Sequence, residues 1–129
     1  MLKAGIKGSA EVKVTEANSA KVMGSGSLDV FATPAMVALI EKAAAESVLP
    51  YLEEGQTTVG TLINVKHVAA TPLGCTARSE CELIEVDGRR LVYNVSAYDN
   101  AGLIGEGVHE RFIISAEKFM LKTNAKKSL

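Results

Sequence analysis

The segment "TPAMVALIEKAAAESVL", beginning at Thr33, constrains the fold more than any other part of the chain. It is rich in Ala, Leu and Met, has Thr33 as a capping candidate, carries Pro34 at the first helical position and meets Pro50 at its end, so it predicts a helix. Met36, Val37, Leu39, Ile40, Ala43, Ala44, Val48 and Leu49 spread round nearly every face, which leaves Lys42 and Glu46 as the solvated strip. A helix of this kind has to be enclosed by other elements.

The rest of the sequence supplies strands for that enclosure. Ile6 to Val14 alternates loosely and reads as a first strand, after which "EVKVTEANSAK" dissolves into a polar loop. The glycines of Gly24-Ser25-Gly26 lack the sequel of a phosphate loop or a dinucleotide fingerprint and read as a plain turn before the short apolar piece "LDVFA". Beyond Glu54-Gly55, four strands follow. "TTVGTLINVKHVAA" is the first of them, and "TARSECELIEV" the second, with Ala77, Ser79, Cys81 and Leu83 alternating against charged residues. Asp87-Gly88 predicts a hairpin into "RLVYNVSAYD", and Asn100-Ala101-Gly102 turns the chain into "LIGEGVHERFII". In that last strand Ile104, Val108 and Phe112 fall on one face, His109 and Arg111 on the other. The tail "KTNAKKSL" is polar and basic and predicts fraying from about residue 121.

The order of strand, helix and four antiparallel strands predicts an α+β domain spanning residues 1–129, with a long curved antiparallel sheet wrapped around one central helix. Fourteen basic and fifteen acidic residues, without long blocks of either sign, exclude the electrostatic footprint of a nucleic-acid binder. Three Phe, three Tyr and no Trp offer few stacking platforms for single strands. Neither a secretory signal nor a long apolar run is present, so the sequence predicts a cytoplasmic protein with no membrane partner. Cys75 and Cys81 lie ~20 Å apart if extended, too far for a disulfide, and read as reduced.

Four positions could carry chemistry. Glu41 has Val37, Ala38, Ala44 and Ala45 as helical neighbours, and burying an unpaired carboxylate costs several kcal/mol, so it needs solvent, a partner or a purpose. His67 stands between a strand and the small residues of "VAATPLG", where a lone histidine reads first as a satisfied strand residue and second as a proton carrier. Thr33 is accounted for by capping, worth ~1 kcal/mol. Arg111, in "HERF", reads as the partner of Glu110 or of another strand carboxylate.

In combination these motifs are specific. Thr33 lies eight residues before Glu41, Gly60 seven before His67, "HVAATPLG" follows, and the last strand contains "GEGVHER". With "VFATPAMVALIEKAAAESVLPYLEEGQTTVGTLINVKHVAATPLG", the chain from about Val30 to Phe119 resembles the fluoroacetyl-CoA thioesterase-like family of hotdog-fold proteins. The resemblance implies the hotdog fold, a homodimer or higher homo-oligomer that extends the sheet, and active sites formed between subunits. It implies catalytic roles for Thr33, Glu41 and His67, and substrate contacts from Gly60 and Arg111. The implied reaction is hydrolysis of a short acyl-CoA thioester without metal or cofactor, coenzyme A entering as part of the substrate. The segment before "FATPAM" is shorter than in the fluoroacetyl-CoA enzyme and lacks its pocket-covering aromatic residues, which leaves the acyl group open. Acyl-thioester hydration or dehydration, and acyl-CoA binding without catalysis, are the alternatives on the same fold.

Overall fold

The computed structural model describes residues 1–129. Five strands, β1 (Lys7–Lys13), β2 (Gln56–His67), β3 (Thr76–Asp87), β4 (Arg90–Tyr98) and β5 (Leu103–Ser115), form one antiparallel sheet in the order β1-β3-β4-β5-β2. Helix α1 (Ala20–Met23) is a single turn, α2 (Thr33–Val48) is the long apolar helix, and α3 (Ala116–Asn124) follows β5. No helix is long and apolar enough to cross a membrane.

Enclosure of α2 organises the interior. Its Met36, Leu39, Ile40, Ala43, Ala44 and Val48 are buried against Ala77, Cys81 and Leu83 of β3 and Leu91, Tyr93, Val95 and Ala97 of β4. The small residues Ala43 and Ala44 let the helix approach the sheet closely. On β5 a glycine does the same: a Cβ at Gly105 would lie 2.6 Å from Met36 Sδ. The sheet curls with the help of register shifts between Gly60 and Leu62, Leu83 and Glu85, and Ala97 and Tyr98, each of which sharpens the local twist.

Several local expectations change. Ala32, not Thr33, is the residue before the helix, in extended conformation; Thr33 is already helical, Pro34 is second, and no side chain caps this end. The β3–β4 turn is Gly88–Arg89, with Asp87 still in the strand and Gly88 at φ 61°. The polar loop after β1 contains a 3-10 turn, Glu16–Asn18, and α1, closed by Gly24 in the left-handed region. The basic tail is helical through Asn124, and a 3-10 turn, Ala125–Ser128, follows.

The largest difference concerns β5. His109, Arg111 and Ile113 are the buried residues of its central alternation, whereas Phe112 is 40% exposed. Polar residues enter the interior here because each finds partners there, as described below. At the other end of the strand, Ile104 is buried too, with its carbonyl accepting from the Val68 and Ala69 amides.

Ile40 has no exposed surface, and Ile40→Ala should lower unfolding free energy by about 2–5 kcal/mol, whereas exposed Lys42→Ala should change it by less than ~0.5 kcal/mol. Urea unfolding of the two variants measures this contrast, and equal effects would contradict enclosure of the helix.

Candidate active site

The residues singled out in the sequence fall into two constellations. The first joins the start of α2 to the end of β2. Because Thr33 does not cap the helix, its hydroxyl reaches across, and Oγ1 lies 2.7 Å from His67 Nδ1. The other ring nitrogen, Nε2, is buried without a hydrogen-bond partner. Val30, Phe31, Val68, Ala69 and Ala70 line a hollow of about 290 Å³ beside this pair. Burial lowers the His67 pKa, with the Ala69 backbone opposing, so the ring favours its neutral form. A neutral imidazole held at one nitrogen and unpartnered at the other is equipped to take up a proton and then to pass it on.

The turn that follows His67 is held from across the sheet. Thr71 is fully buried and donates from Oγ1 to Asp99 Oδ2 at 2.7 Å, while Asp99 Oδ1 accepts from the Ala101 and Gly102 amides. The Thr71 hydroxyl is the first cause of a lowered Asp99 pKa. One carboxylate thus ties "ATPLG" to the β4–β5 turn.

The second constellation surrounds Glu41, midway along α2. Arg111, only 7% exposed, donates from Nε to Thr58 Oγ1 at 2.8 Å and from Nη2 to the Thr58 carbonyl at 2.9 Å. Its Nη1 lies 3.7 Å from Glu41 Oε2 and 3.2 Å from His109 Nε2. Burial lowers the Arg111 pKa and Glu41 opposes that shift, yet an arginine stays charged at any ordinary pH. The expected surface pairing does not occur, because Glu110 is bound by Arg90 instead. At 3.7 Å the Glu41–Arg111 contact is an ion pair too long for a hydrogen bond, so the carboxylate lone pairs remain available.

Gly60 of β2 faces this helix carboxylate from the sheet. A Cβ there would lie 2.6 Å from Glu41 Oε2, so any larger residue would displace it. Two participants, Thr58 and His109, were not assigned a role from the sequence. His109 shares a strand face with Arg111 two residues on, and that spacing was the available signal.

Within the chain the two constellations stay apart. Thr33 and Glu41 are eight residues apart on one helix, ~12 Å along its axis, and Gly60 and His67 are seven residues apart, ~23 Å along β2. No cluster of three or more His, Cys, Asp or Glu side chains is placed to hold a metal ion.

Both histidines have pKa values lowered first by burial. The unfolded chain takes up protons near the ordinary histidine value of about 6.5 that the folded rings refuse, so this contribution to stability is complete above that pH and lost as pH falls below it. Urea unfolding at descending pH should show this decline, and His109→Gln should make it shallower. A profile that is flat below about pH 6.5 would contradict the buried neutral rings.

The family model described as fluoroacetyl-CoA-specific thioesterase matches residues 14–117. A curated relative, the fluoroacetyl-CoA thioesterase of Streptantibioticus cattleyicolor, is 49% identical over 98 residues, covering 76% of this chain and 70% of the relative. The crystal structure of the fluoroacetyl-CoA thioesterase FlK superposes with a TM-score of 0.91 at 38% identity, covering 98% of both chains. A Thr-to-Ser mutant of that enzyme in complex with acetyl-CoA superposes with a TM-score of 0.92 at 38% identity, covering 97% of this chain and 98% of the other. The curled five-stranded sheet around a central helix is the hotdog fold, and the chain belongs to the fluoroacetyl-CoA-specific thioesterase family, a family of thioester hydrolases.

Proposed function

We propose that the protein hydrolyses a short-chain acyl-CoA thioester to the free acid and coenzyme A. The observation that carries this reading is the buried, unpartnered Nε2 of His67, in a ring held by Thr33 beside a small apolar hollow. A buried polar atom without a partner is costly, and a small movement of the residues lining that hollow would let a substrate or water satisfy it. The relatives' names extend the reading to acyl-CoA, and the mutant bound to acetyl-CoA makes acetyl-CoA the natural first probe.

In the proposed reaction an oxygen adds to the thioester carbonyl. It comes from water deprotonated by Glu41 or from the Glu41 carboxylate itself. The C–O bond forms as the carbonyl electrons move to oxygen, and the oxyanion collapses with rupture of the C–S bond. His67 first takes up a proton from solvent, delivers it to the departing thiolate and so returns to its neutral form. A covalent route would add a second step, in which water cleaves the acyl–Glu41 anhydride. Gly60 leaves space beside the carboxylate, and its backbone amide is the candidate oxyanion donor. Arg111 shapes the pocket around Glu41.

The separation of the two constellations favours a site shared between two copies. β2 is an edge strand whose Leu62 and Ile63 are 42% and 38% exposed, and such an edge invites pairing. Antiparallel pairing of two β2 strands about an axis between Ile63 and Asn64 would set His67 opposite the partner subunit's Gly60. Glu41 of one protomer would then serve a thioester whose thiolate is protonated by the other.

Glu41→Ala and His67→Ala should each reduce thiol release from acetyl-CoA by about a hundredfold or more. Unchanged rates in both variants would remove the assignment. Loss of an enoyl double bond without thiol release would favour hydration chemistry instead. Dissociating and reassociating an equal mixture of the two inactive variants should restore about a quarter of the original rate, because half the dimers then carry one intact shared site. No recovery in verified mixed dimers would place both groups in one protomer's site.

A further inference from the structure

One titratable side chain in the polar cluster beneath Glu41 has no part in the proposed reaction. His109 is completely buried, and its ring stacks on Tyr93 with centroids 6.0 Å apart and planes inclined by 26°. Its Nδ1 lies 2.8 Å from the Leu62 carbonyl oxygen and its Nε2 lies 3.2 Å from Arg111 Nη1. These contacts fix the tautomer. A carbonyl can only accept and a guanidinium can only donate, so Nδ1 carries the proton and Nε2 presents its lone pair. A second ring proton would set two donors and two positive charges against each other in a buried site.

The position of this lone pair matters because of how Arg111 is held. Thr58 engages Nε and Nη2, the edge of the guanidinium turned away from the Glu41 carboxylate. Nη1 is the nitrogen that faces Glu41, and its one hydrogen-bond partner is His109. The group is planar, so anchoring all three nitrogens leaves it no swing. The acceptor that orients the ring belongs to Leu62, where the β2–β5 register shifts after Gly60. Bulge, ring and guanidinium therefore form one rigid support under the carboxylate.

We propose that His109 is a positioning residue: as the neutral Nδ1–H tautomer anchored on the Leu62 carbonyl, it holds Arg111 Nη1 and so fixes the Glu41 carboxylate beside Gly60. This rests on the reading of Glu41 as the acid–base or nucleophilic group. His109 exchanges no proton with the substrate and acts through Arg111 alone.

Two substitutions separate the ring's two contacts. His109→Asn keeps a donor near the Nδ1 position but has nothing at Nε2, whereas His109→Gln can set a carbonyl oxygen near Nε2. With acetyl-CoA, the Asn variant should lose about tenfold or more in kcat with little change in KM, and the Gln variant should recover most of that loss. In a Glu41→Gln background, His109→Asn should have little further effect. Equal losses in the two variants, a change confined to KM, or a full additional loss in that background would each overturn the proposal.

Nitrogen NMR of the unsubstituted protein tests the support without turnover. The His109 ring should show a protonated Nδ1 and a bare Nε2 at neutral pH, and a ring protonated at Nε2 would overturn the proposal even if the variants fail to fold. Should Glu41→Gln retain full activity, the reading of Glu41 fails by itself, and the ring spectrum still decides whether His109 is an acceptor for Arg111.

Discussion

Met36, Ile40, Ala43, Ala44 and Val48 of α2 have no exposed surface, and their enclosure governs the remaining structure. Apolar area removed from water contributes roughly 25 cal/mol per Å², so a helix that is apolar on most faces gains most when a sheet curls round it. The curl requires bulges in β2, β3 and β5, and small residues where helix and sheet approach closely. It also brings one glutamate of the same helix against the sheet's inner face. Glu41 cannot be accommodated there by apolar packing, and the structure meets it with a glycine and a buried arginine.

That accommodation is polar on a chosen side only. Arg111 has lost most of its contact with water, and its charge is tolerated because Thr58, His109 and Glu41 surround it. The Glu41 side chain remains 40% exposed and its carboxylate is not hydrogen-bonded to the guanidinium, a combination suited to a group that must meet a substrate. At the other end of β2, His67 has one nitrogen held and one unpartnered. The two arrangements have the same character: a polar atom left without a hydrogen-bond partner on a side chain or support that is otherwise fixed. Their separation within the chain, together with the open edge of β2, supports the proposed site shared between two copies.

Much of the fold was legible because it is local. The α2 pattern, the alternation of Ala77, Ser79, Cys81 and Leu83, and the turn glycines all report their own surroundings, and the structure agrees with them. Misreadings arose where a distant partner decides. Thr33 looks like a cap next to Pro34, but its hydroxyl serves His67, thirty-four residues away. Arg111 and His109 look solvent-facing by residue type, yet Thr58 and the Leu62 carbonyl, contributed by another strand, draw them inside. Periodicity cannot distinguish a polar face turned to water from one turned to buried partners. Family resemblance singled out Thr33, Glu41, Gly60 and His67 by their spacing, while their division into two constellations required the structure.

The central claim is that these constellations break a thioester, and the most direct measurement is thiol release by the unsubstituted protein across acyl-CoAs of increasing chain length. A hollow of about 290 Å³ beside His67 calls for multiple turnovers with acetyl-CoA and its shortest homologues, and a decline as the chain outgrows that space. Binding of the whole series with no thiol released, or turnover that is indifferent to chain length, would contradict it.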